Sequence, residues 1–253
     1  MSDTQQQKSY VFTAAESKRL IARGVKSYLD ERKVLNEGIV AVAKGTTNSY
    51  VVEELLGESI EKTHYCTGTT QPPEGGSEAD IGNKLDDLVL RDGERWDGVS
   101  ATDSVEEMGA GDVFVKGANA LNYDREQAGI LIGHPTGGTI GAAIGSVIAR
   151  RATLLIPVGL EKSIPGDLDE VAGALNRARA DGSGPALWPV GGEIFTELEA
   201  LNLLSGVTAW PIGAGGILGA EGSTRIAVWG SPGQIEQADR NVEQIRGEQP
   251  FGS

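Results

Sequence analysis

The 253 residues carry 36 Asp and Glu against 22 Lys and Arg, a formal net charge of −14 that would repel nucleic acid and anionic membranes over most of the surface. A lone cysteine, Cys66, excludes an internal disulfide, and two histidines, His64 and His134, argue against a zinc site of nitrogen and sulfur ligands. No apolar run approaches membrane-spanning length and none follows Met1, so the expectation is a cytoplasmic enzyme or ligand-binding protein with no nucleic acid and no membrane as partner.

Residues 1–9 are polar and read as a frayed terminus. Ala14 to Arg32 is predicted to be an amphipathic helix, with Leu20, Ile21, Val25 and Leu29 at helical spacing toward the core. Ile39 to Ala43 is an unbroken apolar run and reads as a buried strand. A polar turn, Lys44-Gly45-Thr46-Thr47-Asn48-Ser49, separates it from a helix over Tyr50 to Leu56 with Asn48 or Ser49 as N-cap. Thr67 to Ser77 is a Gly, Pro and Thr loop, and Leu85 to Trp96 is predicted as a hairpin turning at Asp92-Gly93. The 65–109 region reads equally as a binding flap and as a plain surface excursion.

Val113-Phe114-Val115 is the next strand, ending in Lys116-Gly117-Ala118-Asn119. Ala128 to Ile132 is expected to join the same parallel sheet, and leads through Gly133-His134-Pro135-Thr136-Gly137-Gly138-Thr139 into a small-residue helix that reaches Arg150. Thr153 to Val158 is a further strand, followed by Gly159-Leu160-Glu161-Lys162-Ser163, a helix over Val171 to Arg179, and a linker over Asp181 to Pro185. A helix around Ile194 to Leu204, strands at Val207 to Ile212 and Arg225 to Trp229, and a helix from Gln234 to Arg246 complete the chain. Gly213, Gly215, Gly216 and Gly219 join two strands, so a hairpin is expected there instead of a phosphate loop. The pattern predicts an α/β fold: residues 1–184 form a mostly parallel, Rossmann-like sheet with helices on both faces, and residues 185–253 a small C-terminal α+β lid.

Sheets of this kind bind ligands beyond the carboxyl ends of their strands, where Thr46, Lys116, Asn119, His134 and Lys162 are expected to meet. Glycine-rich turns ahead of helices bring backbone N–H groups and a positive dipole end to an anion. Thr46, Thr47, Thr136, Gly137, Gly138 and Thr139 are the candidates to hold it, with Lys44 and Lys162 neutralising it; the same hydroxyls also suit ordinary helix capping. Lys116 is costly to bury unless a ligand anion or a carboxylate from Asp112, Asp124 or Glu126 accompanies it. His134 could exchange protons near neutral pH or bond to its own loop backbone.

The order of these loops resembles the superfamily of ribose-5-phosphate isomerase A, glucosamine-6-phosphate deaminase and the CoA transferases. Lys44 to Ser49 is similar to the isomerase's Gly-Thr phosphate turn, Leu160-Glu161-Lys162-Ser163 to its Asp-x-x-Lys loop, and the segment after Pro185 to its lid. Gly133 to Thr139 takes the place of a lysine and glycines that open a helix. Lys116-Gly117-Ala118-Asn119 stands where the isomerase carries an acidic Asp-Gly-Ala-Asp motif, so amine, amide and imidazole groups from Lys116, Asn119 and His134 replace carboxylates as catalytic candidates. The resemblance implies a homo-oligomer that binds a small anionic metabolite, a sugar phosphate or carboxylated carbonyl compound, between sheet and lid. It calls for no cofactor; because the acidic motif is replaced, the isomerase's own reaction does not carry across, and isomerisation or another proton transfer is the expectation only if the protein is catalytic. A CoA-transferase-like acyl transfer would need a nucleophile, for which Glu193 after Gly191-Gly192 is the candidate. A non-catalytic sensor or assembly subunit of the same fold is the alternative.

Overall fold

The first strand is one that composition hides. β1 (Gln6–Phe12) pairs antiparallel along its whole length with β12 (Thr224–Gly230), Gln6 opposite Gly230 and Phe12 opposite Thr224. Gln6 to Ser9 are exposed while Tyr10 and Phe12 are buried, so backbone pairing holds a stretch whose side chains suggested fraying. α1 (Ala14–Glu31) follows at once, opened by a capping box between Thr13 and Glu16, with Leu20, Ile21, Val25 and Leu29 fully buried. The computed structural model describes residues 5–67, 70–71, 84–177 and 184–252. It is mixed α/β, with seven helices, one six-stranded mixed sheet and two three-stranded sheets among the described residues.

The unbroken apolar runs form the centre of the six-stranded sheet. β2 (Ile39–Val42), β5 (Val113–Val115) and β8 (Thr153–Pro157) lie side by side and parallel, and β10 (Glu193–Phe195) continues them beyond β8. On the other side of β2, β3 (Leu88–Arg91) and β4 (Glu94–Arg95) run antiparallel. Their turn sits at Asp92 and Gly93, both with positive φ, the conformation an Asp-Gly hairpin demands. The strand order β10-β8-β5-β2-β3-β4 therefore confines parallel pairing to four strands. α2 (Thr46–Leu56) begins at Thr46 with Gly45 as N-cap, four residues before the expected start. It packs on α1, which packs in turn on α6 (Glu197–Ser205), while α3 (Ala101–Ser104) contacts α4 (Gly138–Ala149).

Ala128 to Ile132 form a strand, but not in the parallel sheet. β7 (Gln127–Ile132) pairs antiparallel with β6 (Ala120–Asn122) on one side and β9 (Ala186–Val190) on the other, and α5 (Leu168–Arg177) packs against this separate sheet. A short apolar run reports burial and is silent about which sheet buries it. The two sheets are joined where Leu121 bridges Ser163 and the Ile164 N–H donates to the Leu121 carbonyl at 2.9 Å.

Residues beyond 184 do not form a detached unit, since β9 completes the sheet of β7 and β10 completes that of β8. The expected helix around Ile194 gives its first residues to β10, and α6 starts after a capping box between Thr196 and Glu199. β11 (Thr208–Ala214) and β12 form the third sheet with β1; Gly215, Gly216 and Gly219 lie in their connection, as expected, whereas Gly213 is still within β11, opposite Arg225. α7 (Pro232–Glu243) packs on α6. The Thr67 to Ser77 loop and the Asp181 to Pro185 linker lie mostly outside the described residues. No described helix is long and apolar enough to cross a membrane.

Gly24 is where α1 and α6 approach most tightly: a methyl group there would lie 2.7 Å from Ala200 Cβ and 2.9 Å from Ala200 Cα. Backbone cannot move aside as a flexible side chain could. Gly24→Ala is expected to destabilise the fold by about 1–3 kcal/mol, although alanine is the better helix former. A lower urea midpoint at unchanged m-value would report this, and an unchanged midpoint would show that the helices part freely.

Candidate functional site

The carboxyl ends of β2, β5 and β8 open into a cavity of about 530 Å³. Its wall contains Lys44, Thr46, Thr47, Lys116, Asn119, His134, Gly137, Gly138, Thr139 and Lys162, which is every expected site residue except Thr136. Gly45, Thr67, Gly117, Ala118, Ile130 to Gly133 and Ile140 complete it. No described residue after Lys162 lines it, so the C-terminal segment does not close over the cavity as the lid reading supposed.

Ladder bonding continues past the strand ends and fixes where the loops begin. The Ala43 N–H donates to the Val115 carbonyl at 3.0 Å, and the Lys116 N–H to that of Leu155 at 2.9 Å. Asn48, fully buried, donates its Nδ2 to the carbonyls of Ala43 at 2.7 Å and Val115 at 3.3 Å, tying β2 to β5. The sequence marked Asn48 as a cap, and nothing in the residue order distinguishes that from this clasp. Its Oδ1 and the Thr47 Oγ1 have no hydrogen-bond partner among the described residues.

Two helix N-termini face the cavity. α2 starts behind Gly45 and α4 behind Gly137, neither glycine supplies a side-chain cap, and the first residues of both helices line the wall. Their opening N–H groups have no partner within the helix and carry the positive end of its dipole. Gly137 could hardly be another residue: its φ is 87°, and a methyl group would lie 3.0 Å from Gly141 Cα and 3.1 Å from the Trp188 ring.

The three lysines differ in what surrounds them. Lys44 pairs with Asp87 at 3.4 Å. Lys116 makes no ion pair among the described residues, and its Nζ donates only to the Gly117 carbonyl at 3.2 Å. Of its expected partners, Asp112 instead accepts the N–H groups of Ile39 and Gly109, each at 2.7 Å. Burial first, and the charge of Lys162 second, bring the Lys116 amine down to about 8. Lys162 donates to the Ala118 carbonyl at 2.8 Å; burial also lowers its pKa, but Glu161 and Glu197 oppose that shift.

Asn119 uses its Oδ1 to accept the Leu131 N–H at 3.0 Å, which leaves Nδ2 as the group it can offer the cavity. The His134 Nδ1 lies 2.8 Å from Thr136 Oγ1 and accepts the Thr136 N–H at 3.3 Å, which makes Nε2 the ring's N–H, with no partner among the described residues. Thr136, expected to hold an anion, therefore orients the imidazole instead. Glu193 stands at the amino end of β10, the end away from the cavity, exposed and bonded to Tyr28 and Arg32, so no acyl-transfer nucleophile reaches the site from there.

Behind Lys162 lies a group that sequence reading missed. Glu197 is fully buried and accepts the Leu160 N–H at 3.0 Å; burial first, and Glu161 second, push its pKa up to about 7. Glu161 sits 3.6 Å from Lys18 Nζ, and its oxygens accept no hydrogen bond among the described residues. In the sequence, Glu197 shows only as an acid in a helix's first turn, which is ordinary dipole chemistry.

A carboxyl group whose folded pKa lies above its unfolded value favours the folded state fully at pH below the unfolded value. That contribution is lost as pH rises through the folded pKa. For Glu197 the window runs from its ordinary 4.5 to about 7. Across it the wild type is expected to lose on the order of 2 kcal/mol more stability than Glu197→Gln. Urea titrations at each pH measure the difference, and parallel stability curves would count against a buried proton at this position.

No match to this chain is found among protein-family models, curated proteins or solved structures.

Proposed function

We propose that the cavity binds a small anionic metabolite, a sugar phosphate or carboxylated carbonyl compound, and transfers a proton on it. One observation carries the reading: in a chain of net charge −14, two uncapped helix N-termini and three lysines face a single cavity, and two of those lysines have no ion-pair partner among the described residues. An anion there would take the open N–H groups of Thr46, Thr47, Gly138 and Thr139, and the charges of Lys44 and Lys162. Lys116 and the Asn119 amide would polarise a carbonyl, and the Nε2–H of His134 would donate a proton to the ligand. No carboxylate of a described residue lines the wall, so proton transfer falls to imidazole and amine.

The four parallel strands serve in this reading as a Rossmann-like platform. Kinship with the isomerase and CoA-transferase superfamily belongs to the same proposal, supported by the order of loops around one cavity. The distance of Glu193 from that cavity weighs against its acyl-transfer branch.

A thermal-shift series with ribose 5-phosphate, glucose 6-phosphate, pyruvate and 2-oxoglutarate tests the binding. A ligand at about a hundred times its Kd adds roughly 2.7 kcal/mol, a rise in Tm of about 5–10 °C in a chain of this length. Lys116→Ala is expected to weaken binding by at least about tenfold, since it removes a buried charge facing the ligand. Solvent deuterium entering a carbon-bound position of the ligand, and failing to do so with His134→Ala, would establish the proton transfer. Absence of stabilisation by every one of these anions would sink the reading.

A further inference from the structure

We propose that Lys116 is a nucleophile that captures its ligand covalently, as an imine with the carbonyl carbon of a small aldehyde or ketone carrying a phosphate or carboxylate. The inference rests on the anion-binding reading and adds a bond to it. Lys116 is the first residue beyond a fully buried strand, it faces the cavity, and its amine donates only to the carbonyl of the next residue. Nothing among the described residues neutralises it.

The neighbourhood divides labour between two lysines. Lys162 has Glu161 and Glu197 beside it and is fixed to the Ala118 carbonyl, so its charge is supported. Lys116 has no such carboxylate and feels the positive charge of Lys162. A desolvated amine next to a second cation is the arrangement that makes a lysine nucleophilic at neutral pH. With its pKa near 8, Lys116 holds on the order of a hundredfold more neutral amine at pH 7 than an exposed lysine does. Ile130, Ile132 and Ile140 give the wall an apolar side, and no carboxylate there competes for the amine.

The step balances without any further reagent. The lone pair of neutral Nζ attacks the carbonyl carbon, a C–N bond forms, and the carbonyl π pair moves to oxygen. Oxygen gains a proton and nitrogen loses one, giving a carbinolamine; a second protonation on oxygen lets it leave as water, and the protonated imine remains. That cation draws electrons from the adjacent carbon and so makes its C–H bond acidic enough for exchange with solvent.

The test treats wild-type protein with glyceraldehyde 3-phosphate, and separately with pyruvate, in the presence of sodium cyanoborohydride, which reduces an imine to a stable secondary amine. Peptide mass mapping locates the adduct. In parallel, glycerol 3-phosphate, which carries the anion without a carbonyl, is assayed for thermal stabilisation. The expected result is an adduct on Lys116 formed at least about tenfold faster than on exposed Lys8, faster as pH rises through about 8, slowed by glycerol 3-phosphate, and absent from Lys116→Arg. Stabilisation by glycerol 3-phosphate with adducts confined to surface lysines, or with the adduct on Lys44 or Lys162, would overturn the nucleophile and leave the anion site standing. Neither stabilisation nor trapping would overturn both.

Discussion

Three parallel strands buried almost to their last residue leave the chain nowhere to place a polar group except at their ends. In the buried length of β2, β5 and β8 an unpaired charge or amide would cost several kcal/mol, and charged residues follow only past the ladder, at Lys44 and Lys116 and at Glu161 and Lys162 after Gly159. The ladder also sets the level at which they leave. Backbone bonds from Ala43 to Val115, from Lys116 to Leu155 and from Val158 to Phe195 run one step past the strands, so the loops start in register. A cavity at this edge follows from burial in the middle of the sheet, and Asn48 secures it by clasping the ends of β2 and β5.

Charge is distributed with the same economy elsewhere and against it here. Arg19 collects Glu53, Glu54 and Glu248, Glu53 takes Lys62 as well, and Glu16 pairs with Arg246. With 36 acidic residues for 22 basic ones, carboxylates are plentiful. That Lys116 and Lys162 make no ion pair among the described residues is therefore not a shortage of partners but a local arrangement at the cavity. A lysine left desolvated without a carboxylate costs stability unless an anion meets it.

What the sequence reveals tracks which interactions are made by side chains. Ile39 to Val42, Val113 to Val115 and Thr153 to Pro157 are legible because apolar runs bury themselves, and Asp92-Gly93 because only such residues adopt the turn. The site residues were legible in turn, since the end of each run marks where its loop emerges. β1 was not, because Gln6 to Ser9 are held by backbone bonds that any residue could make. The start of α2 was hidden by a glycine cap that leaves no hydrogen-bonding signature. The sheet that takes β7 is not legible, because periodicity counts buried faces and does not identify neighbours, nor is the role of Glu197, because burial of a helix-start acid depends on what packs over it.

The place of β7 changes what the cavity is. It is a seam: one wall is the end of the parallel ladder, and the other, from Asn119 through Ile130 to the start of α4, belongs to an antiparallel sheet. Residues 116–119 cross the seam; Lys162, from the loop after β8, ties to their Ala118 carbonyl, while the bond from the Leu131 N–H to Asn119 lies within the second wall. Lys162 is thus both a charge and a clasp, whereas the Lys116 amine bonds only to the carbonyl of its own neighbour. Removing the Lys116 amine leaves the bonds across the seam in place; removing that of Lys162 breaks one of them. The seam thereby gives a structural footing to the two roles the sequence suggests for these lysines: Lys162 is tied across it, and Lys116, the catalytic candidate, is not.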